Sequence, residues 1–176
     1  MAGRDGTEQW IHSRGRVVNR TADGAPVLAV GTSMNITQQK RAAAALQESH
    51  HLLRTIIDTA PVRVFWKNTH LRYMGCNPAF ARDVGMAQPE EVVGKDDFQL
   101  AWKEQADLYR ADDRRVMESG IAKIAYEEPS TLDGKRIWLR TSKVPLRDRQ
   151  GRVIGVLGVY EDITNEKAAK DALRDS

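Results

Sequence analysis

The stretch Ile137–Thr164 carries the side chains best spaced for binding chemistry. It reads IWLRTSKVPL, then RDRQGR, then VIGVLGVYEDIT. Two apolar-rich, β-branched runs around a polar turn with Gly151 predict an antiparallel hairpin. Strand alternation sorts its side chains into two faces. Leu139, Thr141 and Lys143 share one face with Val156, Gly158 and Tyr160. Trp138, Arg140 and Ser142 share the other with Leu157 and Val159. An ammonium and a phenol on the first face could serve an anionic ligand as charge and hydrogen-bond donor. The plainer alternative is a lysine whose stem lies on apolar surface with its head in water, beside a core tyrosine. The second face, with Trp138 and Val159, is an apolar patch that calls for a cover.

Little else in the chain suggests chemistry. His12, His50, His51 and His70 are scattered among a hairpin, a helix and a turn, and each reads as a surface residue rather than a metal ligand. Asp96-Asp97 and Glu127-Glu128 are acidic pairs, but neighbours in sequence need not converge, and Asp96 reads as a helix cap. There is no readable Ser–His–Asp set and no glycine-rich phosphate loop. No catalytic residue and no metal site is therefore expected, and this stretch is not expected to be an enzyme.

Bulk properties narrow the partners. Lys and Arg number 27 against 24 Asp and Glu, a net charge of +3, and the signs are interspersed. The one basic run, Arg147–Arg152, contains Asp148 and reads as a turn rather than a nucleic-acid site. No apolar run is long enough to span a bilayer and no signal peptide is evident. The single cysteine, Cys76, allows no intrachain disulfide and suits a reducing compartment. The expectation is a cytoplasmic chain with no nucleic-acid partner and no direct membrane contact.

The hairpin runs straight into NEKAAKDAL, a helix former, with Thr164 as the expected N-cap. The same pattern occurs earlier. Asp5-Gly6, Trp10, Gly24, Gly31, Ile36-Thr37, Lys40 and Leu46 match Asp133-Gly134, Trp138, Gly151, Gly158, Ile163-Thr164, Lys167 and Leu173. A repeat of so long a period indicates tandem copies of one domain, the first represented only by its tail. The chain is expected to be a piece of a longer protein. Between the copies, Gln38 to about Thr59 reads as one helix with Ala42, Leu46, Leu53 and Ile56 along a stripe. Strands follow at Val62–Lys67 and Leu71–Cys76. Asn77-Pro78 then opens a helix that Gly85 stops. Short turns around Pro89 and Asp96 lead to a helix Glu104–Ser119, a strand Ile121–Pro129 and the hairpin. That order predicts an α+β domain: a five-stranded antiparallel sheet with helices on one face.

Several segments carry a resemblance. Phe65-Trp66-Lys67, Gly75-Cys76-Asn77-Pro78-Ala79-Phe80, Val93-Gly94-Lys95-Asp96-Asp97, Pro145-Leu146-Arg147-Asp148, Gly155-Val156-Leu157-Gly158 and Asp162-Ile163-Thr164 resemble the PAS sensor family. The final strands and the D-I-T tail are similar to its PAC segment. The resemblance implies a PAS-like fold flanked by N- and C-terminal helices, acting as a sensory module of a bacterial signalling protein of histidine kinase or diguanylate cyclase type. It implies residues 1–37 as the end hairpin of a preceding domain, 38–60 as a helical linker, 61–164 as the sensor and 165–176 as the start of an output helix. It further implies a homodimer formed through flanking helices, with Leu46, Leu53 and Ile56 in the linker, and an effector in the same chain.

By the family's register the Lys143 face lines any pocket, whose candidates are Met74, Phe80, Tyr109, Tyr126, Leu139, Thr141, Lys143, Val156, Gly158 and Tyr160. Met74, Phe80 and Tyr126 read equally as core. Haem is disfavoured, because relatives that bind it use a histidine on the long helix and residues 104–119 contain none. A flavin–cysteinyl photosensor is disfavoured because Lys95, not Cys, follows Gly94. Non-covalent flavin or a small organic ligand stays open, as does a ligand-free structural spacer. A pocket event would pass to the exit helix through Asp162, Ile163 and Thr164.

Overall fold

The computed structural model describes residues 8–132 and 134–174. Asp5-Gly6 of the repeat and Asp133 of the expected turn lie outside the described residues. The chain divides into two compact units, Met1–Thr55 and Ile56–Ser176.

In the first unit, β1 (Ile11–Arg20) pairs antiparallel with β2 (Pro26–Asn35), with Gly15 opposite Gly31. The turn closes where the Gly24 N–H donates to the Thr21 carbonyl, and Gly24 takes φ 86°, a conformation that suits glycine. Both strands are exposed along their whole length within this unit. The helix α1 (Thr37–Thr59) starts here, and none of its residues is buried.

In the second unit the elements run β3 (Arg63–Asn68), β4 (Tyr73–Cys76), α2 (Pro78–Asp83), three single-turn 3-10 helices, α3 (Ala106–Ser119), β5 (Lys123–Leu132), β6 (Lys135–Arg147), β7 (Val153–Asp162) and α4 (Thr164–Arg174). The five strands form one antiparallel sheet in the order β4-β3-β7-β6-β5. This is the α+β class that the pattern of elements predicts.

Local chemistry sets the boundaries. The Asn77 side chain accepts the Phe80 N–H at 3.0 Å and the Val64 N–H at 3.1 Å, so one buried amide caps α2 and ties it to the sheet. Pro78 supplies the first turn without wasting a donor. Asp96, rather than Asp97, caps the short helix Asp97–Gln99. Helix α3 ends at Gly120, whose φ of 65° is the left-handed stop expected of glycine.

Two expectations shift. The long helix begins at Ala106 rather than Glu104, because residues 103–105 close a separate 3-10 turn. The strand placed at Ile121–Pro129 runs from Lys123 to Leu132, extended by its pairing with β6. It also carries a bulge between Lys123 and Tyr126, with Ala125 at φ 50°.

The core lies between the sheet and the helices. Phe80 is fully buried, with ring centroids of Phe65, Tyr73, Trp102 and Tyr160 at 5.1, 5.4, 5.4 and 6.1 Å. Burial of such rings supplies most of the folding drive.

Candidate functional site

A cavity of about 50 Å³ lies between the inner sheet face and the helices. Phe65, Tyr73, Phe80, Trp102, Tyr109 and Tyr160 give it aromatic walls. Leu132, Ile137 and Leu139 close the apolar part, while Lys67, Asp83, Asp97, Glu128, Ser130, Thr141 and Lys143 bring polar groups to it.

Strand alternation puts Phe65 and Lys67 on one face of β3, and Leu139, Thr141 and Lys143 on one face of β6. The two lysines are almost fully buried. Lys67 Nζ lies 2.7 Å from Asp97 Oδ2 and 2.6 Å from Asp113 Oδ2. Lys143 Nζ lies 2.6 Å from Asp113 Oδ1 and 3.4 Å from Asp112 Oδ2, and donates to the Tyr109 carbonyl at 3.3 Å. Asp113 thus bridges both lysines and fastens α3 to β3 and β6. Tyr73 adds a hydroxyl donor to Asp97 at 2.8 Å. Charges this deep persist only when paired and hydrogen-bonded.

The titration behaviour follows from these contacts. Burial pushes the Tyr73 hydroxyl well up, and the charge of Asp97 adds to it. Burial pulls the Lys143 ammonium down, but Asp113 and Asp112 outweigh this and hold it above its usual range. Burial and Asp83 push up the Tyr160 hydroxyl, which donates to Asp83 at 3.1 Å. Asp83 also accepts Arg63 Nε at 2.9 Å.

The bulge in β5 has a consequence here. Strict alternation would turn Lys123 and Tyr126 to opposite faces. The extra residue lets both reach Asp112, at 2.9 and 2.8 Å. Further along β5, Thr141 donates to Glu128 at 2.8 Å, and Ser130 meets the Tyr109 hydroxyl at 2.9 Å.

Of the residues picked out as pocket candidates, Phe80, Tyr109, Leu139, Thr141, Lys143 and Tyr160 line the cavity. Met74 does not: it follows Tyr73 on β4, points the other way, and is half exposed. Tyr126 is spent on Asp112. Val156 is fully buried behind the wall. Gly158 lies under the Phe65 ring, where an added Cβ would come within 2.1 Å of Cζ.

Lys67, Asp97, Asp113 and Glu128 escape a reading of the sequence. Lys67 shares strand parity with Phe65. Asp113 stands seven residues after Ala106 and three before Val116, helical spacings that share a face with two buried residues. Both signals were present but look like ordinary surface charge.

The joint between β7 and α4 differs from expectation in one respect. Thr164 Oγ1 accepts no N–H of its own helix. It accepts the Trp138 N–H at 3.0 Å, while Asp162 Oδ1 accepts the Thr164 N–H at 2.9 Å. The hydroxyl donates to that same carboxylate, so the aspartate orients the threonine toward β6. Ile163 is buried and its N–H donates to the Trp138 carbonyl at 2.9 Å.

Outside this joint, Arg140 reaches Glu161 at 3.0 Å and Glu166 at 2.9 Å. Lys167 bonds Glu127 and lies 4.2 Å over the Trp138 ring. Helix α4 is therefore tied to β5, β6 and β7. In the first unit the joint recurs: Trp10 N–H to Thr37 Oγ1 at 2.8 Å, Thr37 N–H to Asn35 Oδ1 at 3.0 Å, Ile36 N–H to the Trp10 carbonyl at 2.8 Å, and Lys40 over the Trp10 ring.

In the linker, Leu46, Leu53 and Ile56 are more than half exposed. Among the described residues no helix is long and apolar enough to cross a membrane.

Comparison with known proteins adds to this geometry. Residues 57–168 match the PAS fold family. The sensor protein ArcB of Escherichia coli, named for aerobic respiration control, is 29% identical over 136 residues, which cover 72% of this chain and 16% of ArcB. FilI, a methanogenesis regulatory histidine kinase of Methanothrix harundinacea, is 33% identical over 70% of this chain and 14% of its own length. The match thus spans about a sixth of these relatives. Among solved structures, the PAS domain of Bordetella pertussis BvgS aligns with a TM-score of 0.52 at 22% identity, over 76% of this chain and 99% of that one. The Vibrio cholerae VqmA–ligand–DNA complex aligns with a TM-score of 0.58 at 23% identity, over 62% of this chain and 50% of that one.

The VqmA match corrects the expected partners: a second copy, an effector in the same chain, no nucleic acid and no membrane contact. A DNA-bound receptor contains the same fold, so neither mild charge nor a basic run interrupted by Asp148 excludes nucleic acid from proteins built this way. The reason is physical: DNA contact in such a protein need not be made by the face or the charges read in this stretch. A family match across residues 57–168, on a sheet of this order under this helical cover, shows that the chain belongs to the PAS family.

Proposed function

We propose that residues 61–164 form a sensory and signal-relay module of a sensor histidine kinase. A small ligand enters the cavity between sheet and helices, and its presence is passed to α4. The names of the related sensors support the signalling part of this reading. One observation carries the relay: adjacent residues of β5 serve the two ends of the path. Glu128 lines the cavity and accepts Thr141 of β6, whereas Glu127 bonds Lys167 of α4. A ligand that displaces β5 against β6 therefore strains both the Glu127–Lys167 contact and the Trp138–Thr164 bond. A two-state helix biased at those contacts is the physical requirement for relay.

The repeated joint supports reading residues 1–37 as the tail of a preceding copy of the domain, 38–60 as a linker helix and 165–176 as the start of the output helix. A cavity of this size accommodates a few waters or a molecule of a handful of heavy atoms, which favours a small ligand over a flavin. A chain purified from the cells that make it tests the reading by native mass spectrometry. The expected result is a small molecule released on unfolding, whose re-addition slows hydrogen exchange at residues 164–174. A chain with nothing to release, and with α4 exchange indifferent to a metabolite extract, supports a ligand-free spacer instead.

A further inference from the structure

Glu128 differs from the other carboxylates around the cavity. Asp83 holds Arg63, Asp97 holds Lys67, and Asp113 holds Lys67 and Lys143 together. Asp112 holds Lys123. No cation among the described residues makes an ion pair with Glu128; its protein contact is the Thr141 hydroxyl at 2.8 Å. Lys143 is near enough to feel its charge, but that ammonium is already bonded to Asp113 and the Tyr109 carbonyl. The lysines of the wall are thus spent on aspartates, and the half-buried Glu128 is left facing aromatic rings.

That combination selects for charge. An anion entering the cavity would meet Glu128 and no lysine free to receive it. A neutral apolar molecule would desolvate the carboxylate and return nothing for it. An organic cation loses water on entry but gains a carboxylate partner and the π faces of the wall. Resting on the sensing reading above, we infer that the cavity takes a small organic cation, an alkylammonium whose charged head pairs with Glu128 and whose carbon groups lie against Phe80, Trp102 and Tyr109.

Three probes of nearly equal shape test this: isobutylammonium, isobutanol and isobutyrate. Each is titrated into the intact chain at fixed ionic strength and followed by tryptophan fluorescence and by the shift in Tm. Isobutylammonium is expected to bind about tenfold tighter than isobutanol, with isobutyrate weakest. In Glu128→Gln, which keeps an acceptor for Thr141, the ammonium preference is expected to vanish while isobutanol binding stays. Isobutanol or isobutyrate binding the wild-type chain as tightly as the amine overturns the cation assignment but leaves a ligand-binding sensor. An amine preference that survives in Glu128→Gln overturns the role of Glu128. No saturable binding of any probe takes the small-ligand reading down as well.

Discussion

The N–H of Trp138 on β6 donates to the Thr164 hydroxyl at the first residue of α4, 3.0 Å away, and the same bond joins Trp10 to Thr37 at 2.8 Å. A strand residue and a helix residue 26 positions later are thereby locked together where β7 passes into α4. The threonine works as an acceptor for another strand, and Asp162 holds its hydroxyl in place for that task.

Removing that acceptor should loosen α4 without unfolding the sheet. Thr164→Val keeps the shape but leaves the Trp138 N–H without its partner, at a cost of about 1–3 kcal/mol. Hydrogen exchange should quicken at Trp138 and through residues 164–174, while β3 and β4 stay protected. Uniform protection in the variant would show that the bond carries no load.

Asp113 is fully buried and holds two lysines, so Asp113→Asn breaks two ion pairs at once. Breaking a buried pair on one side costs about 3–5 kcal/mol. Urea unfolding of the variant should show a loss of that order. A loss under about 1 kcal/mol would mean that the pairs contribute little net stability.

Stability should fall at both ends of the pH range. Burial raises the Asp112 carboxyl, but the bonds from Lys123 and Tyr126 and the charge of Lys143 more than reverse this and leave it lowered. A lowered folded pKa gives stability that is complete above the unfolded value of about 4 and is lost as pH falls through the folded value. Lys143 is raised, so its contribution is complete below about 10.4 and is lost as pH rises through the folded value. Urea titrations from acid to alkali should show a plateau between these limits. Asp112→Asn should flatten the acid limb and bring the alkaline decline to lower pH. An unchanged acid limb would remove Asp112 from the account.

Two glycines should behave differently. A Cβ at Gly155 would sit 2.0 Å from the Lys67 carbonyl oxygen, which is backbone and cannot swing aside. Gly155→Ala should cost at least about 2 kcal/mol. It should also displace Lys67 from Asp97 and Asp113. Gly151 has φ 80° with open space around it, so Gly151→Ala meets only the left-handed penalty of about 1–2 kcal/mol. Thermal denaturation with crystallography of Gly155→Ala checks both.

The tie from β5 to the output helix can be cut at the surface. Glu127 is held below its usual range, chiefly by the bond from Lys167. Lys167→Gln should leave stability nearly unchanged, as the loss of an exposed pair does. It should nonetheless uncouple α4 exchange from ligand occupancy. Coupling that survives in Lys167→Gln would leave the Trp138–Thr164 bond as the route.

Much of the fold was legible because periodicity and turn chemistry are local. Alternation sorted the faces of β6 and β7, Asn77-Pro78 marked a helix start, and Gly120 marked a helix end. The cavity was only partly legible. Met74 was misplaced because the frame of β4 was set by a turn whose geometry the residues do not reveal. Tyr126 does share the inner face with Thr141, its partner across β5 and β6, but its hydroxyl is held by Asp112, a tertiary contact that alternation does not reveal. Lys67 and Asp113 looked like surface charge because a charge is identified as buried only by the partner that meets it.

By itself, then, the sequence determined the α+β order, the sheet, the repeated joint and the family, all of which rest on spacing along one chain. Only the tertiary structure decided that Asp113 bridges two lysines, that Thr164 serves Trp138, and that Glu128 makes no ion pair among the described residues. Each of those is a meeting of side chains far apart in sequence, and burial and desolvation, which set its energy, exist only once the chain has folded.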